Sequence, residues 1–150
     1  LHKILYSFKD GQRRRMMTFQ YLLLDKTTAS VDIYNAGHCF PLLIDSKSSQ
    51  FRYLETASKP LGVDESPDYS KHSVSLQPGQ ALILYTDGIS ERQNEAGETF
   101  GHDRLAQAAL QNYQNNSERY YHALYQEYLD WSGKNGGDDC TMIVVVYPES

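Results

Sequence analysis

The sequence has few cysteines and lacks the patterns of several common protein classes. Its 150 residues include two cysteines, Cys39 and Cys140, far apart in apolar, strand-like contexts. We therefore expect two buried thiols in a reducing cytoplasm rather than a disulfide. The sequence has no CxxC or HExxH spacing, so no pattern in it favours a zinc site. No apolar run approaches the ~20 residues that cross a bilayer, and no signal-peptide pattern opens the chain, so we expect no membrane association.

Positive charge is also scarce. The net charge is −5 at pH 7 and the isoelectric point is about 5.5, which argues against a nucleic-acid partner. One basic run, Arg13 to Arg15, is the exception. We interpret it as a solvated turn or strand entrance, with a phosphate-binding patch as the alternative. The length favours a single domain with enough chain for a hydrophobic core.

Hydrophobic periodicity predicts an α+β chain built on antiparallel sheet. The spacing of Leu1, Ile4, Leu5 and Phe8 predicts a helix that continues from something upstream. Alternating or apolar segments predict seven strands, at residues 16–25, 30–36, 42–44, 51–54, 69–76, 81–86 and 141–147. Two amphipathic helices are predicted at 103–113 and 118–131, the second with Ser117 as its N-cap. Most of the strands are joined as hairpins, and the helices are grouped near the end.

Two acidic segments carry the most chemical information. Asp87-Gly88 follows an apolar strand, and Asp138-Asp139 follows two glycines. Carboxylates that are crowded together repel one another unless protons or a cation neutralise them. Hard divalent ions such as Mg²⁺ or Mn²⁺ prefer such oxygen ligands. The alternatives are a type I′ hairpin turn at Asp87-Gly88 and a solvated loop at Asp138-Asp139.

Several sequence blocks occur in an order that resembles a known family. They are Met17-Thr18-Phe19, Tyr34 to Leu43 with Asn35-Ala36-Gly37-His38, Lys59-Pro60-Leu61-Gly62, Pro78 to Glu91 with Thr86-Asp87-Gly88, Asn94 to Gly101, and Asp138-Asp139-Cys140-Thr141. Together they resemble the C-terminal two-thirds of a bacterial PPM-type (protein phosphatase 2C-like) Ser/Thr phosphatase, in the class that includes the sporulation stage II E phosphatase and the stress-response phosphatases.

The resemblance implies a fold and a set of site residues. The fold is an antiparallel β-sandwich flanked by helices, with two Mn²⁺ or Mg²⁺ ions at one end. Asp87 and Asp138 match metal ligands of the family, and Asp139 matches a position that is more often supporting than ligating. Gly88 would let the backbone approach the site. His38 is a candidate proton shuttle, although a structural role in its turn is the favoured interpretation.

The resemblance also implies that part of the site lies elsewhere. No stretch of the chain matches the family's upstream acidic residue or its Asp-x-x-Gly-His-Gly motif. We therefore predict that residues 1–150 are a single, N-terminally incomplete phosphatase domain that is inactive by itself. In the parent protein it would be the cytoplasmic output domain behind a sensor or receiver, acting on a phosphoprotein of the anti-sigma-factor antagonist type. The alternatives are a non-catalytic pseudophosphatase or partner-binding module, and a homodimer formed through exposed sheet edges.

Overall fold

A computed structural model describes residues 1–7, 9–10, 13–133 and 139–149 of the chain. The chain forms two compact units. The first unit comprises Leu1–Phe40 and Glu55–Leu76, and the second comprises Pro41–Leu54 and Gln77–Ser150. Each unit has its own antiparallel sheet. That the chain is one incomplete domain stays a prediction.

The first unit is built on a three-stranded sheet. A short helix and a two-stranded hairpin precede it: α1 (His2–Ser7), β1 (Lys9–Asp10) and β2 (Arg13–Arg14). The sheet has the order β3 (Phe19–Asp25), β4 (Ser30–Ala36) and β7 (His72–Ser75), all antiparallel. The central strand β4 supplies the buried side chains Val31 and Ile33. The prediction that β3 begins at residue 16 is wrong, because Met17 instead pairs with Leu61 in an isolated bridge.

The second unit is built on a four-stranded sheet and three helices. The sheet has the order β6 (Gln50–Tyr53), β5 (Leu42–Asp45), β8 (Gln80–Tyr85) and β9 (Met142–Tyr147). Strands β5 and β8 are almost wholly buried, as their continuous apolar sequences predict. Between β8 and β9 the chain forms α2 (Asp87–Ser90), α3 (Gly101–Gln111) and α4 (Ser117–Ser132).

The N-cap of helix α4 lies one residue earlier than predicted. Asn116 is the N-cap, and its side chain accepts a hydrogen bond from the backbone N of Arg119 at 3.0 Å. Ser117 lies in the first turn instead, where its hydroxyl accepts a bond from the N of Val146 at 3.2 Å. The buried face of the helix repeats every four residues, as Tyr120, Leu124 and Tyr128. An interval of four residues is typical of a helix that packs one face against a sheet.

The α+β class with antiparallel sheets is confirmed. The prediction of two buried thiols is wrong, because Cys39 is half-buried and Cys140 is exposed. Within the part of the chain that the structure describes, no helix is long and apolar enough to cross a membrane.

Candidate metal centre

The pairing of β8 with β9 brings the two acidic segments to one end of the sheet. Tyr85 and Met142 are the last paired residues. Beyond them the pairing continues through Thr86 and Thr141. The backbone N of Thr86 donates to the carbonyl of Thr141 at 3.1 Å, and the N of Thr141 donates to Oγ1 of Thr86 at 3.0 Å. Residues 55 positions apart in sequence are thereby joined next to Asp87 and Asp139.

Asp87 is the first residue of α2, and it is exposed. Its Oδ1 accepts a hydrogen bond from the backbone N of Gly88 at 3.0 Å. The chain turns into a helix here, and the strand that follows β8 in the sheet comes only after α4. The alternative of a hairpin turn at Asp87-Gly88 is therefore wrong.

Asp139 lies on the opposite segment and is also exposed. Its carbonyl accepts a hydrogen bond from Oγ1 of Thr86 at 3.3 Å. Asp138, the predicted second ligand, lies outside the described residues, as do Gly136 and Gly137. The described part of the centre therefore consists of two exposed aspartates on segments that bond directly to each other.

Gly88 lies at a close approach between the two segments. It is buried. A Cβ atom added there would stand 2.5 Å from the carbonyl oxygen of Asp139 and 3.3 Å from Sγ of Cys140. Real Cβ atoms do not approach an oxygen so closely, so a larger residue would force the segments apart. A glycine is required for the observed contact.

The residue types present at this end of the sheet are suitable ligands for a hard divalent cation. Exposed aspartates supply the oxygen ligands that Mg²⁺ and Mn²⁺ prefer, and the glycine contact keeps their two segments together. Among the described residues, no three histidines, cysteines or acidic residues cluster as a ready ligand set. Asp87 and Asp139 would therefore form part of a coordination sphere, with the rest supplied by other groups or by water.

Two side chains that the sequence did not mark as site residues reach this end of the sheet. Tyr128 of α4 is buried, and its hydroxyl lies 3.4 Å from the carbonyl of Gly88 and 3.1 Å from Sγ of Cys140. The Cys140 thiol donates to the same carbonyl at 3.0 Å. Burial raises the pKa of Tyr128 above its ordinary value, and the hydrogen bond with Cys140 raises this pKa further. The phenol therefore stays protonated at neutral pH.

The helical spacing placed Tyr128 on the apolar face of α4, but no sequence pattern indicated the hydrogen-bond partners of its hydroxyl. Thr86, by contrast, belongs to the block Thr86-Asp87-Gly88, which was already identified from the sequence.

His38 lies in the first unit, in the turn that follows β4. Asn35, which is buried, holds this turn. Its Oδ1 accepts a bond from the backbone N of His38 at 2.8 Å, and its Nδ2 donates to the carbonyl of His38 at 3.0 Å. The turn thus uses the backbone of His38, in agreement with the favoured structural interpretation. A role for its imidazole in proton transfer stays a prediction.

Arg13 and Arg14 form β2, and Arg15, which follows, is exposed. A solvated strand entrance remains our interpretation of this run.

Comparison with known proteins identifies the class. The antiparallel sheets and helices match those of PP2C-type phosphatase domains, among them the SiaA domain of Pseudomonas aeruginosa, at a TM-score of 0.77 and 19% identity over 95% of this chain and 56% of that chain. The family model described as Stage II sporulation protein E (SpoIIE) matches residues 1–148. The chain therefore belongs to the SpoIIE family of PPM-type phosphatases, which confirms the resemblance.

Two further solved structures have the same fold. The Mn-presoaked phosphatase domain of SpoIIE from Bacillus subtilis aligns at a TM-score of 0.68 and 20% identity, over 89% of this chain and 57% of that chain. The RsbU and RsbW domains of Rv1364c from Mycobacterium tuberculosis align at 0.69 and 25% identity, over 89% of this chain and 37% of that chain.

Two curated relatives are similar in sequence. Protein IcfG of Synechocystis sp. (strain ATCC 27184 / PCC 6803 / Kazusa) is 26% identical over 90% of this chain. Phosphoserine phosphatase RsbP of Bacillus subtilis (strain 168) is 32% identical over 61% of this chain. The chain spans only 21% and 22% of the length of these two relatives.

Proposed function

We propose that this chain is part of a metal-dependent protein serine/threonine phosphatase, which hydrolyses phosphoserine or phosphothreonine. The observation that carries the proposal is the meeting of the two acidic segments at one sheet end, in a chain matched to the SpoIIE family over residues 1–148. The name of RsbP, a phosphoserine phosphatase, supports the substrate class.

In this proposal Asp87, Asp138 and Asp139 hold Mn²⁺ or Mg²⁺, two ions being expected in a complete centre. Asp139 matches a position of the family pattern that is more often supporting than ligating. A pair of such ions, when bound, lowers the pKa of a water molecule and neutralises phosphoryl oxygens. The chain's own task is to present carboxylates. Gly88 keeps their segments in contact, and Thr86 bonds them together.

The remaining ligands would come from residues outside this sequence, as the family resemblance implies. We therefore expect the 150 residues alone to bind metal but not to release phosphate. We further propose a phosphoprotein substrate of the anti-sigma-factor antagonist type and an upstream sensor or receiver domain. A cytoplasmic location is part of the same proposal.

A calorimetric titration of this chain with Mn²⁺ tests the site. We expect binding that Asp87→Asn weakens by about tenfold or more, since it loses a charged ligand. The control is Asp103→Asn, an exposed aspartate in the first turn of α3, which should leave the affinity unchanged. Equal affinities in the wild type and Asp87→Asn would contradict the assignment of Asp87.

Activity is tested in the full-length parent protein. Asp87→Asn should abolish Mn²⁺-dependent release of phosphate from a phosphoserine protein, whereas Asp103→Asn should retain it. Full turnover in Asp87→Asn would refute the role. A wild-type parent that binds the phosphoprotein without releasing phosphate would instead support the non-catalytic alternative.

A homodimer stays a prediction, and one surface favours it. Strand β3 is at the edge of its three-stranded sheet, and its alternate residues Phe19, Tyr21 and Leu23 are exposed. Exposed apolar edge strands tend to pair with another chain. Sedimentation of this chain as a monomer at high concentration would count against the dimer.

A further inference from the structure

The carbonyl of Gly88 is bonded by side chains where a longer helix would supply an amide. Helix α2 has only four residues, and the carbonyls in the last turn of a helix lack backbone partners within the helix. The carbonyl of Asp87 receives the backbone N of Glu91 at 2.7 Å. The carbonyl of Gly88 receives the thiol of Cys140 at 3.0 Å, and the hydroxyl of Tyr128 lies 3.4 Å from it.

The three groups are arranged as a relay. A phenol and a thiol each have one proton to donate. The two shorter distances, 3.1 Å from the Tyr128 oxygen to Sγ and 3.0 Å from Sγ to the Gly88 oxygen, fit a phenol that donates to the sulfur and a thiol that donates to the carbonyl. The contact of 3.4 Å is the longest of the three.

The same glycine also bonds the candidate ligand. The backbone N of Gly88 donates to Oδ1 of Asp87 at 3.0 Å, while the carbonyl of Gly88 accepts from the thiol of Cys140, which in turn accepts from Tyr128. A shift of Gly88 would therefore change the direction in which the Asp87 carboxylate points. Helix α4, through Tyr128, is connected to that carboxylate by three successive hydrogen bonds.

We propose that Tyr128 and Cys140 are positioning residues for the metal centre, which fix the backbone of Gly88 and through it the carboxylate of Asp87. This rests on the proposed phosphatase function. It assigns a role to the hydroxyl of Tyr128 that packing does not require, because the ring already packs edge-on against Phe100 at 5.4 Å between centroids. Groups that orient metal ligands commonly change metal affinity by about 10- to 100-fold when they are removed.

Four variants of this chain test the proposal. Cys140→Ala removes the central donor, Cys140→Ser keeps a donor of similar shape, and Tyr128→Phe removes only the first hydroxyl. The control is Tyr121→Phe on the same helix, where the contacts of Tyr121 are ring contacts with His122 and Tyr125. The measurements are the Mn²⁺ affinity by calorimetry and the exchange rates of the amide protons of Gly88 and Ile89 by NMR.

We expect Cys140→Ala to weaken Mn²⁺ binding by about tenfold and Tyr128→Phe by about three- to tenfold, at the lower end of the range for such orienting groups. Both should speed the exchange of the Gly88 amide. Cys140→Ser should restore the affinity to within about twofold of the wild type, which distinguishes a hydrogen-bonding role from mere packing. Tyr121→Phe should change neither measurement.

Two results would overturn the proposal. One is wild-type affinity and amide exchange in both Cys140→Ala and Tyr128→Phe. The other is a loss in Cys140→Ala that Cys140→Ser does not restore. A failure of the proposed function is distinguishable from both. In that case the wild type and Asp87→Asn do not differ in Mn²⁺ binding, while the exchange of the Gly88 amide in the Cys140 and Tyr128 variants still decides the positioning role.

Discussion

Two glycine-containing segments follow strands β4 and β8, and each uses its polar side chain differently. In the turn after β4, the buried side chain of Asn35 bonds both the N–H and the carbonyl of His38. In the segment after β8, the side chain of Asp87 is exposed and bonds only the neighbouring backbone N of Gly88 in the described contacts. The side chain of Asn35 makes its hydrogen bonds within the fold, whereas the charged side chain of Asp87 lies at the surface.

This contrast separates a structural polar residue from a candidate ligand. A buried amide whose donors and acceptor are all engaged stabilises the fold, because leaving its partners unpaired is costly. An exposed carboxylate beside a close backbone contact contributes little to the fold and remains available to a cation. The following predictions test this separation, from the largest expected effect on stability to the smallest.

The largest loss is expected for Asn35→Ala. It removes the partners of both backbone groups of His38 and the bond from Nδ2 to Oγ1 of Thr56 at 3.1 Å. Since each unsatisfied buried group costs ~1–3 kcal/mol, we expect a loss of about 2–4 kcal/mol in the free energy of unfolding. Urea denaturation measures it. The control is Asn94→Ala, an Asn in an exposed turn, which should cost less than half as much; equal losses would break the comparison.

Gly88→Ala should cost about 1–3 kcal/mol, because the added Cβ would meet the carbonyl of Asp139. It should also weaken Mn²⁺ binding, since the two acidic segments must separate. The control is Gly97→Ala, where a positive φ of 79° adds strain but no atom lies within 4 Å of the new Cβ. Calorimetry should find unchanged Mn²⁺ affinity in that control. Unchanged affinity in Gly88→Ala as well would mean that the close contact is irrelevant to the site.

Thr86→Val should cost about 1 kcal/mol, because it removes the acceptor for the N of Thr141 while keeping the shape of the side chain. Thr141→Val is the matched control, since Thr141 bonds Thr86 through its backbone. Thermal or urea denaturation compares the two variants. A larger loss in the control would show that the hydroxyl of Thr86 does not join the segments.

The smallest effect is expected for His38→Ala. Its turn is held through backbone groups, so we expect a change below about 0.5 kcal/mol, as for ordinary surface substitutions. In the full-length protein the pH profile of phosphate release should keep its shape. Loss of one limb of that profile would identify the imidazole as an acid or base and would reverse the interpretation of this turn.

Much of the fold was predictable because its segments have strong periodicity. The apolar run at residues 81–86 and the alternation at 30–36 predicted β8 and β4. The hairpin of β1 and β2 was missed because strands of two residues contain too little pattern. The start of β3 was misplaced because the pairing of Met17 with Leu61 is a tertiary contact with no local signature.

The candidate site was predictable where chemistry follows from residue type. The residue types marked two acidic segments, Asp87-Gly88 after an apolar strand and Asp138-Asp139 after two glycines. That these aspartates hold a metal ion stays a prediction. The roles of Tyr128 and Cys140 were not accessible, because a tyrosine on an apolar helix face and a cysteine next to a strand are usually packing residues. The role proposed for them depends on the carbonyl of Gly88, which lies 40 positions before Tyr128 in the sequence.

The topology of the second sheet also has a consequence for the order of folding. Strand β8 pairs with β9 only after α2, α3 and α4 have intervened, and contacts so distant in sequence form late, since a long loop must close first. During synthesis, a chain that has emerged only as far as α4 has Asp87 but no opposite segment. The acidic end would therefore form only after β9 has been synthesised, so that cation binding would report the pairing of β8 with β9.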